Sequence, residues 1–299
     1  MRVAVTGANG LLGGASVQQL SGHHELLALG RGACRLPASD FRWVEVDLGD
    51  PCAVETVLRE FRAEAVLHAG AMTDVDLCER DPVGAWRVNV EGTAAVARAC
   101  RDLGARLVAV STDYVFDGEA GPYTEDDQPN PRGVYARTKR CGEEAALLLA
   151  PDCAVARVAV VYSGRPGAKA TFATQVVEKL SRGESVKAFD DQFVSPTLAE
   201  NAASMTLELL LEHAYRGFLH TCGATVLDRV DFARQVARRF GLTPRIVPVH
   251  LAEMKLAAPR PLRSGLKTAR AASILRVQPL PVDAALDVFH QQWMQRGYP

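Results

Sequence analysis

Tyr135 and Lys139 stand four residues apart, a YxxxK pair inside a stretch (134–149) with helical period. Residues at that spacing share one helix face, roughly 6 Å apart along the axis. A free phenol has a pKa of about 10 and is a poor acid at neutral pH. An ammonium beside it favours the phenolate and lowers that value. The pair could then protonate a carbonyl oxygen as hydride reaches the carbon. The same lysine could hold a nicotinamide ribose. Upstream, residues 108–112 read VAVST and place Thr112 at the C-terminal end of a buried strand, where ligands bind in parallel sheets. Thr112 could bond the same carbonyl oxygen, a small oxyanion site. Its bland alternative is a turn cap. Ser111 beside it is expected on the cofactor.

A cofactor cradle accompanies the pair. Gly7-Ala8-Asn9-Gly10-Leu11-Leu12-Gly13 lies between the first apolar strand and the first helix. Spaced glycines permit a tight turn and let backbone N–H groups approach a pyrophosphate, and the helix N-terminus adds its positive dipole end. Asn9, Leu11 and Leu12 belong to the same turn. An acidic residue at the end of the second strand would select NAD by bonding the ribose 2′-OH. This chain has Leu29-Gly30-Arg31-Gly32 there. Arg31 could pair a 2′-phosphate, favouring NADP(H) over NAD(H); its alternative is a solvated surface arginine. Asp47 and Leu48 follow the third strand and are expected near adenine, with helix capping as the alternative for Asp47. Ala69, Gly70, Ala71 and Thr73, after the fourth strand, are expected to line the same cofactor.

The elements that must hold these groups are legible as alternation. Strand-length apolar runs at 2–6, 25–29, 43–46, 65–68, 106–111 and 154–162 are separated by helical stretches at 11–20, 54–61, 85–103 and 134–149. That order implies βαβ units and a parallel sheet. Beyond residue 162 it loosens, with helices expected at 172–180, 198–211, 229–240 and 282–293 and a strand at 216–220. The expected fold is an α/β, doubly wound parallel Rossmann sheet with a smaller C-terminal substrate-binding lobe. Residues 1–162 would form the NADP-binding domain. Residues 163–299 would form the mixed lobe, with returns to the main sheet.

At this point the chain resembles the extended short-chain dehydrogenases/reductases of the dTDP-4-dehydrorhamnose reductase type. The GxxGxxG spacing is similar to that superfamily's. STDYVFDG at 111–118 is close to a signature of the type. Ala71-Met72-Thr73-Asp74-Val75-Asp76 with Glu79 looks like its AxTxVDxxE segment, and Asn89 matches its helix asparagine. Asn130-Pro131, then Val134-Tyr135 and Lys139, match its catalytic segment. Asp191-Gln192-Phe193 with Pro196-Thr197 is similar to DQ-x-x-x-PT, and Arg260-Pro261 with Ser264 and Leu266 to RPxNSxL. The resemblance spans roughly residues 1–270. It implies Thr112, Tyr135 and Lys139 as the catalytic trio, and reduction of the 4-keto group of a nucleotide-activated 6-deoxysugar, as in dTDP-rhamnose biosynthesis. It also implies substrate contacts from Asp76, Val115, Val160, Gln192, Thr197 and Arg260. Three departures bear on that pocket. Val160 stands where the type often has tryptophan, Arg263 replaces the asparagine of RPxNSxL, and Val194 replaces the glycine after DQF.

Neighbouring activities are separable. Sugar-nucleotide 4,6-dehydratases need a carboxylate base and resemble STDE at this strand end; Tyr114 occupies that glutamate position. Epimerases tend to have Ser-Ser-rich strand ends and longer lobes. A non-catalytic reading is an NADP-binding regulatory subunit similar to that of methionine adenosyltransferase, against which the intact Tyr135–Lys139 pair argues.

Bulk properties agree with a small-molecule enzyme. The 299 residues are 48% hydrophobic and 23% charged, with a net charge of −1. That balance gives no electrostatic case for nucleic acid or a membrane surface. No apolar run approaches the roughly 20 residues of a membrane span, and the N-terminus lacks a signal-peptide pattern. Seven scattered cysteines suit buried thiols in a reducing cytoplasm. The spacing of Cys and His supports no metal site. His23, His24, His213, His220 and His250 are expected in surface or capping roles, and His68 as a satisfied core histidine. Glu125, Asp126 and Asp127 are expected in a solvated turn. The nucleotide sugar is the expected partner, and a homodimer is an allowed assembly.

Overall fold

The computed structural model describes residues 1–296, so the last three residues of the expected lobe, 297–299, lie outside it. Short runs of Val, Leu and Ala become strands here because both faces of the central sheet are covered, and only the edge strand at Arg42–Glu45 is largely outside. These are β1 (Arg2–Thr6), β2 (Glu25–Gly30), β3 (Arg42–Glu45), β4 (Ala65–His68), β5 (Arg106–Thr112) and β6 (Cys153–Val158). A seventh strand, Gly217–His220, joins beyond β6. The order is Gly217–His220, β6, β5, β4, β1, β2, β3, with every pairing parallel.

Alternate side chains feed two cores. Val3, Val5, Leu26 and Ala28 pack against Leu12, Val17 and Leu20 of α1 (Leu11–Leu20) and against Met205 and Leu209 of the Ala199–Leu211 helix. Ala4, Leu27 and Leu29 face the other way. There they meet Val54 and Leu58 of α2 (Pro51–Phe61) and, further on, Val96 and Cys100. The chain runs outward from β1 in both directions, to β2 and to β4, with Thr6 opposite His68. That switch point opens a crevice at the carboxyl ends of the strands.

Two elements differ from the sequence expectation. The helix expected over 85–103 begins earlier. After α3 (Val75–Arg80), α4 (Pro82–Trp86) starts on Asp81, whose side chain accepts from Gly84 N, with Pro82 in the first turn. A π turn, Arg87–Glu91, then separates it from α5 (Gly92–Leu103). The wider turn carries Asn89 inward, where it is 1% exposed. The strand expected over 154–162 breaks after Val158. Val160 has φ +43°, a costly conformation for a β-branched residue, and Val161–Tyr162 pairs with Thr197–Leu198 instead.

The C-terminal elements build a third core around Tyr162, Phe232, Phe289 and Trp293. Its two-residue and four-residue ladders, Phe193–Val194 with Leu227–Asp228 and Val186–Phe189 with Ile246–Val249, were too short to show as periodicity. Among the described residues, no helix is long and apolar enough to cross a membrane.

Candidate active site

The glycine turn sits in the crevice. Gly7 has φ +67°, and a Cβ there would lie 2.6 Å from Gly70 Cα; a Cβ on Gly13 would lie 2.4 Å from Gly7 O. Side chains are therefore excluded at both positions. α1 begins at Gly10 with no side-chain cap, leaving its first N–H groups for an incoming anion. Asn9 does not point at that anion. Its amide donates to Arg31 O (3.2 Å) and Ala33 O (3.0 Å) and its carbonyl accepts from Arg35 N (2.9 Å), so it pins the segment after β2. Arg31 and Asp47 are exposed at the same rim. Asp47 accepts from Gly49 N, and the cap of α2 is Asp50 instead. Leu48 lies close over Gly70. Ala69 and Ala71 are half-buried at the crevice, and Thr73 is exposed.

Beneath the turn, a buried polar chain joins the cofactor side to the helix that carries the tyrosine. Gly70 N donates to Thr6 Oγ1, which bonds His68 Nδ1 at 2.8 Å. His68 Nε2 meets Thr93 Oγ1 at 3.0 Å, and Thr93 donates to Asn89 O. The threonine proton is thus spent, so His68 carries its proton on Nε2 and accepts on Nδ1. Burial pulls this ring down to about 3, with Lys139 adding to the effect, so it is neutral. Asn89 accepts from Met72 N and donates to Thr138 Oγ1, and Thr138 donates to Tyr135 O. The core-histidine reading of His68 holds, and it also fixes the register of α6 (Val134–Leu149). Glu79 completes the seat by accepting from Val134 N at 2.7 Å, capping α6 where Gly133 has no side chain.

Tyr135 and Lys139 lie in the first turns of α6, with Thr112 at the end of β5. The Tyr135 phenol lies beside the Thr112 side chain. Burial, however, reverses the expected direction at the phenol. Loss of hydration raises its pKa above the ordinary value, the Thr112 contact pulls it back, and the charge of Asp113 pushes it further up. Lys139 donates to Val110 O at 2.8 Å. Its burial lowers the ammonium to about 8, while Glu143 one turn on pulls upward. Glu143 is in turn gripped by Arg157 through two bonds of 2.8 and 2.9 Å, both side chains 1% exposed. Ser111 is buried beside Thr112. Its Oγ is buried without a hydrogen-bond partner among the described residues, beside a cavity of about 10 Å³ shared with Lys139 and His68.

The opposite wall comes from the second half of the chain. Arg260 pairs with Asp76 at 2.8 Å, and Ala258 N donates to the same carboxylate. Gln192 donates to Pro261 O and accepts from Arg229 Nε at 3.0 Å. Tyr114 lies beside Gln192 and packs edge-on against Tyr135, ring centroids 5.9 Å apart. Val160 is half-buried, and Arg263 stacks over Phe193. Two expected substrate residues do not reach this wall. Val115 is wholly buried with Phe116 and Tyr123, and Thr197 is wholly buried, donating to Ser195 O and accepting from Gly223 N.

Sequence reasoning passed over Arg229 and Asp113. Arg229 is one of 34 basic residues and opens a helix after the capping Asp228, so nothing local marked it. Asp113 lay inside the recognised STDY run but carried no role. His220 and Glu125 also depart from expectation. His220 is 0% and Glu125 8% exposed, and Glu125 accepts from His220 N, so both lie inside the protein. Folding also brings Asp190, Asp191 and His250 together, with potential ligand atoms within 4.8 Å of one another, which spacing did not suggest. His250 pairs with both carboxylates there.

This is the fold and crevice of a nicotinamide-dependent extended short-chain reductase, and the comparisons agree. The family model described as RmlD substrate binding domain matches residues 1–294. A dTDP-4-dehydrorhamnose reductase of Mycobacterium tuberculosis is 37% identical over 274 residues, covering 89% of this chain and 85% of that protein. The solved dTDP-4-dehydrorhamnose reductase of Bacillus anthracis, in complex with NADP, aligns with a TM-score of 0.86 at 25% identity, covering 97% and 99% of the two chains. Methionine adenosyltransferase 2 subunit beta of Xenopus tropicalis is 30% identical over 267 residues, covering 87% of this chain and 78% of that protein. The chain belongs to the RmlD substrate binding domain family. It is an oxidoreductase of the dTDP-4-dehydrorhamnose reductase-like type.

Proposed function

We propose that the protein uses NADPH to reduce the 4-keto group of a nucleotide-activated 6-deoxysugar. The observation that carries this reading is Tyr135 beside Thr112 at the C-terminal end of β5, with Lys139 one turn along the same helix. Tyr135 gives its proton to the C4 oxygen, and Thr112 polarises that oxygen. Lys139 holds the nicotinamide ribose and supports the phenolate left behind. NADPH, when bound, supplies the hydride that reaches C4. The Gly7–Gly13 cradle suits a pyrophosphate, since its close-packed backbone tolerates no Cβ at Gly7 or Gly13 and the first N–H groups of α1 carry no side-chain cap. Arg31 at the rim supports a 2′-phosphate and so NADP(H) over NAD(H). On the substrate side, Arg229 and Arg260 flank Gln192 and Tyr114, an arrangement suited to a diphosphate.

The test is a panel of nucleotide-4-keto-6-deoxysugars scored by NADPH oxidation, with NMR of the product. Turnover of at least one member is expected, with kcat reduced about 10²- to 10⁴-fold in Tyr135→Phe. No oxidation across the panel, together with stoichiometric capture of a protein partner, would replace this reading with a binding role.

A further inference from the structure

Thr112 has one hydroxyl proton and two lone pairs to share. One lone pair accepts from Tyr114 N at 3.2 Å. The proton goes to Asp113 Oδ1 at 3.0 Å. The Tyr135 phenol lies beside Thr112, and a proton offered from Thr112 would favour its phenolate. With its proton committed to Asp113, Thr112 offers none to Tyr135 or to the crevice, although a donor is needed there when a carbonyl is reduced. Asp113 is 2% exposed, and its second oxygen accepts from Ser264 Oγ at 2.5 Å, across 151 residues. Ser264 is itself 0% exposed and belongs to the 260–266 segment that also supplies Arg260.

We infer that Asp113 is a positioning residue that decides which way the Thr112 proton points: held on the carboxylate when Asp113 is ionised, and offered to the substrate carbonyl when Asp113 is neutral. The physical reason is the strength of the competing acceptors. A hydrogen bond to a carboxylate is roughly twice as strong as one to a neutral oxygen. An ionised Asp113 therefore outcompetes a ketone, and a neutral carboxyl does not. Ser264 sets the balance from the C-terminal side, because its hydrogen bond favours the carboxylate. The inference rests on the reading of Thr112 as a carbonyl-polarising residue.

The surroundings make this a titration within the working range. Burial lifts the Asp113 carboxyl to about 6, with Ser264, Thr112 and the Arg229 guanidinium pulling it back down. The other ionisable groups facing it are the Tyr114 and Tyr135 phenols and the Cys222 thiol, all raised by burial and uncharged at that pH. Arg229 is thus the one charge among these neighbours, and it is fixed. Asp113 is the group left to change.

Single-turnover oxidation of bound NADPH by a reactive nucleotide keto-sugar, followed from pH 5 to 9, tests the inference. In the wild type the hydride-transfer rate falls as pH rises through the Asp113 ionisation, by roughly 10²-fold, the cost of losing one oxyanion donor. Asp113→Asn removes that limb and keeps the rate at pH 8 near its value at pH 5. Ser264→Ala moves the limb to higher pH. Thr112→Val abolishes the limb and leaves a uniformly low rate. A constant-factor loss in Asp113→Asn with the wild-type limb intact would make Asp113 merely structural and overturn the inference. A second readout needs no turnover. ¹³C NMR of carboxyl-labelled aspartate in the intact protein should show one buried carboxyl, absent in Asp113→Asn, whose midpoint rises in Thr112→Val. An unmoved midpoint overturns the inference. Failure of every keto-sugar to react, with that midpoint still moving, overturns the substrate reading instead.

Discussion

The two walls of the crevice are built in different ways. On the cofactor side each group lies a few residues past a strand end: Gly7 after β1, Arg31 after β2, Asp47 after β3 and Gly70 after β4. Parallel register delivers them together, and the proposed cofactor would be held mostly by backbone. On the substrate side the contacts span long separations. Asp76 meets Arg260 across 184 residues, Gln192 meets Arg229 across 37, and Asp113 meets Ser264 across 151. Side chains do the work there, and each depends on how the later segments pack. Such a site can change its ligand without disturbing the cofactor cradle. The departures Val160 and Arg263 lie along that second wall, and Val194 is buried behind it.

Three perturbations, from the largest effect down, would break or sharpen the contrast, and a fourth probes the cradle's rim. Acid comes first. His68 and His220 are both pulled down to about 3 by burial. A histidine depressed in the folded state stabilises the fold above its unfolded value and loses that stability as pH falls. Below about 6.5 the unfolded chain takes a proton that the folded chain refuses. Each ring should cost about 1.4 kcal/mol per pH unit between roughly 6.5 and 3. Denaturant unfolding at pH 7.0, 6.0 and 5.0 should therefore steepen in loss, and His220→Gln should halve the slope. An unchanged slope in that variant would exclude His220 as a source.

Gly7→Ala comes next. The added methyl meets Gly70 backbone at positive φ, so about 1–3 kcal/mol of cofactor affinity or stability should be lost. The KM for the sugar should stay within about twofold. Arg260→Met is the mirror case. It should raise the sugar KM about tenfold by removing one charge-assisted contact and leave the KM for NADPH unchanged. A crossed result in either variant would mean that the walls are not separable. Arg31→Ala should have the smallest effect, a KM for NADPH higher by about three- to tenfold with NADH untouched. Equal changes for both cofactors would remove Arg31 from the 2′-phosphate.

Some of this was legible early because it is local. The β–turn–α context of the glycines, the i to i+4 spacing of Tyr135 and Lys139, and the alternation of strands and helices to residue 158 depend on short-range geometry and binary pattern. The breaks at Val160 and at the π turn around Asn89 were not legible. Both are responses to distant partners: Thr197 N on Val160 O, and the Met72 loop and Thr138 on Asn89.

The sequence by itself therefore determined the reductase class and marked the groups proposed for its chemistry: a phenol, a lysine, a hydroxyl, and a turn suited to phosphate. Only the tertiary structure decided the state of those groups. It buried Tyr135 so that its pKa rises where spacing alone implied a fall, and it withdrew Val115 and Thr197 behind the wall. It also brought Arg229 to the site and placed Asp113 between Thr112 and Ser264. Residue type sets what a group can do. Desolvation and the direction of a single hydrogen bond, which only packing fixes, set what it does.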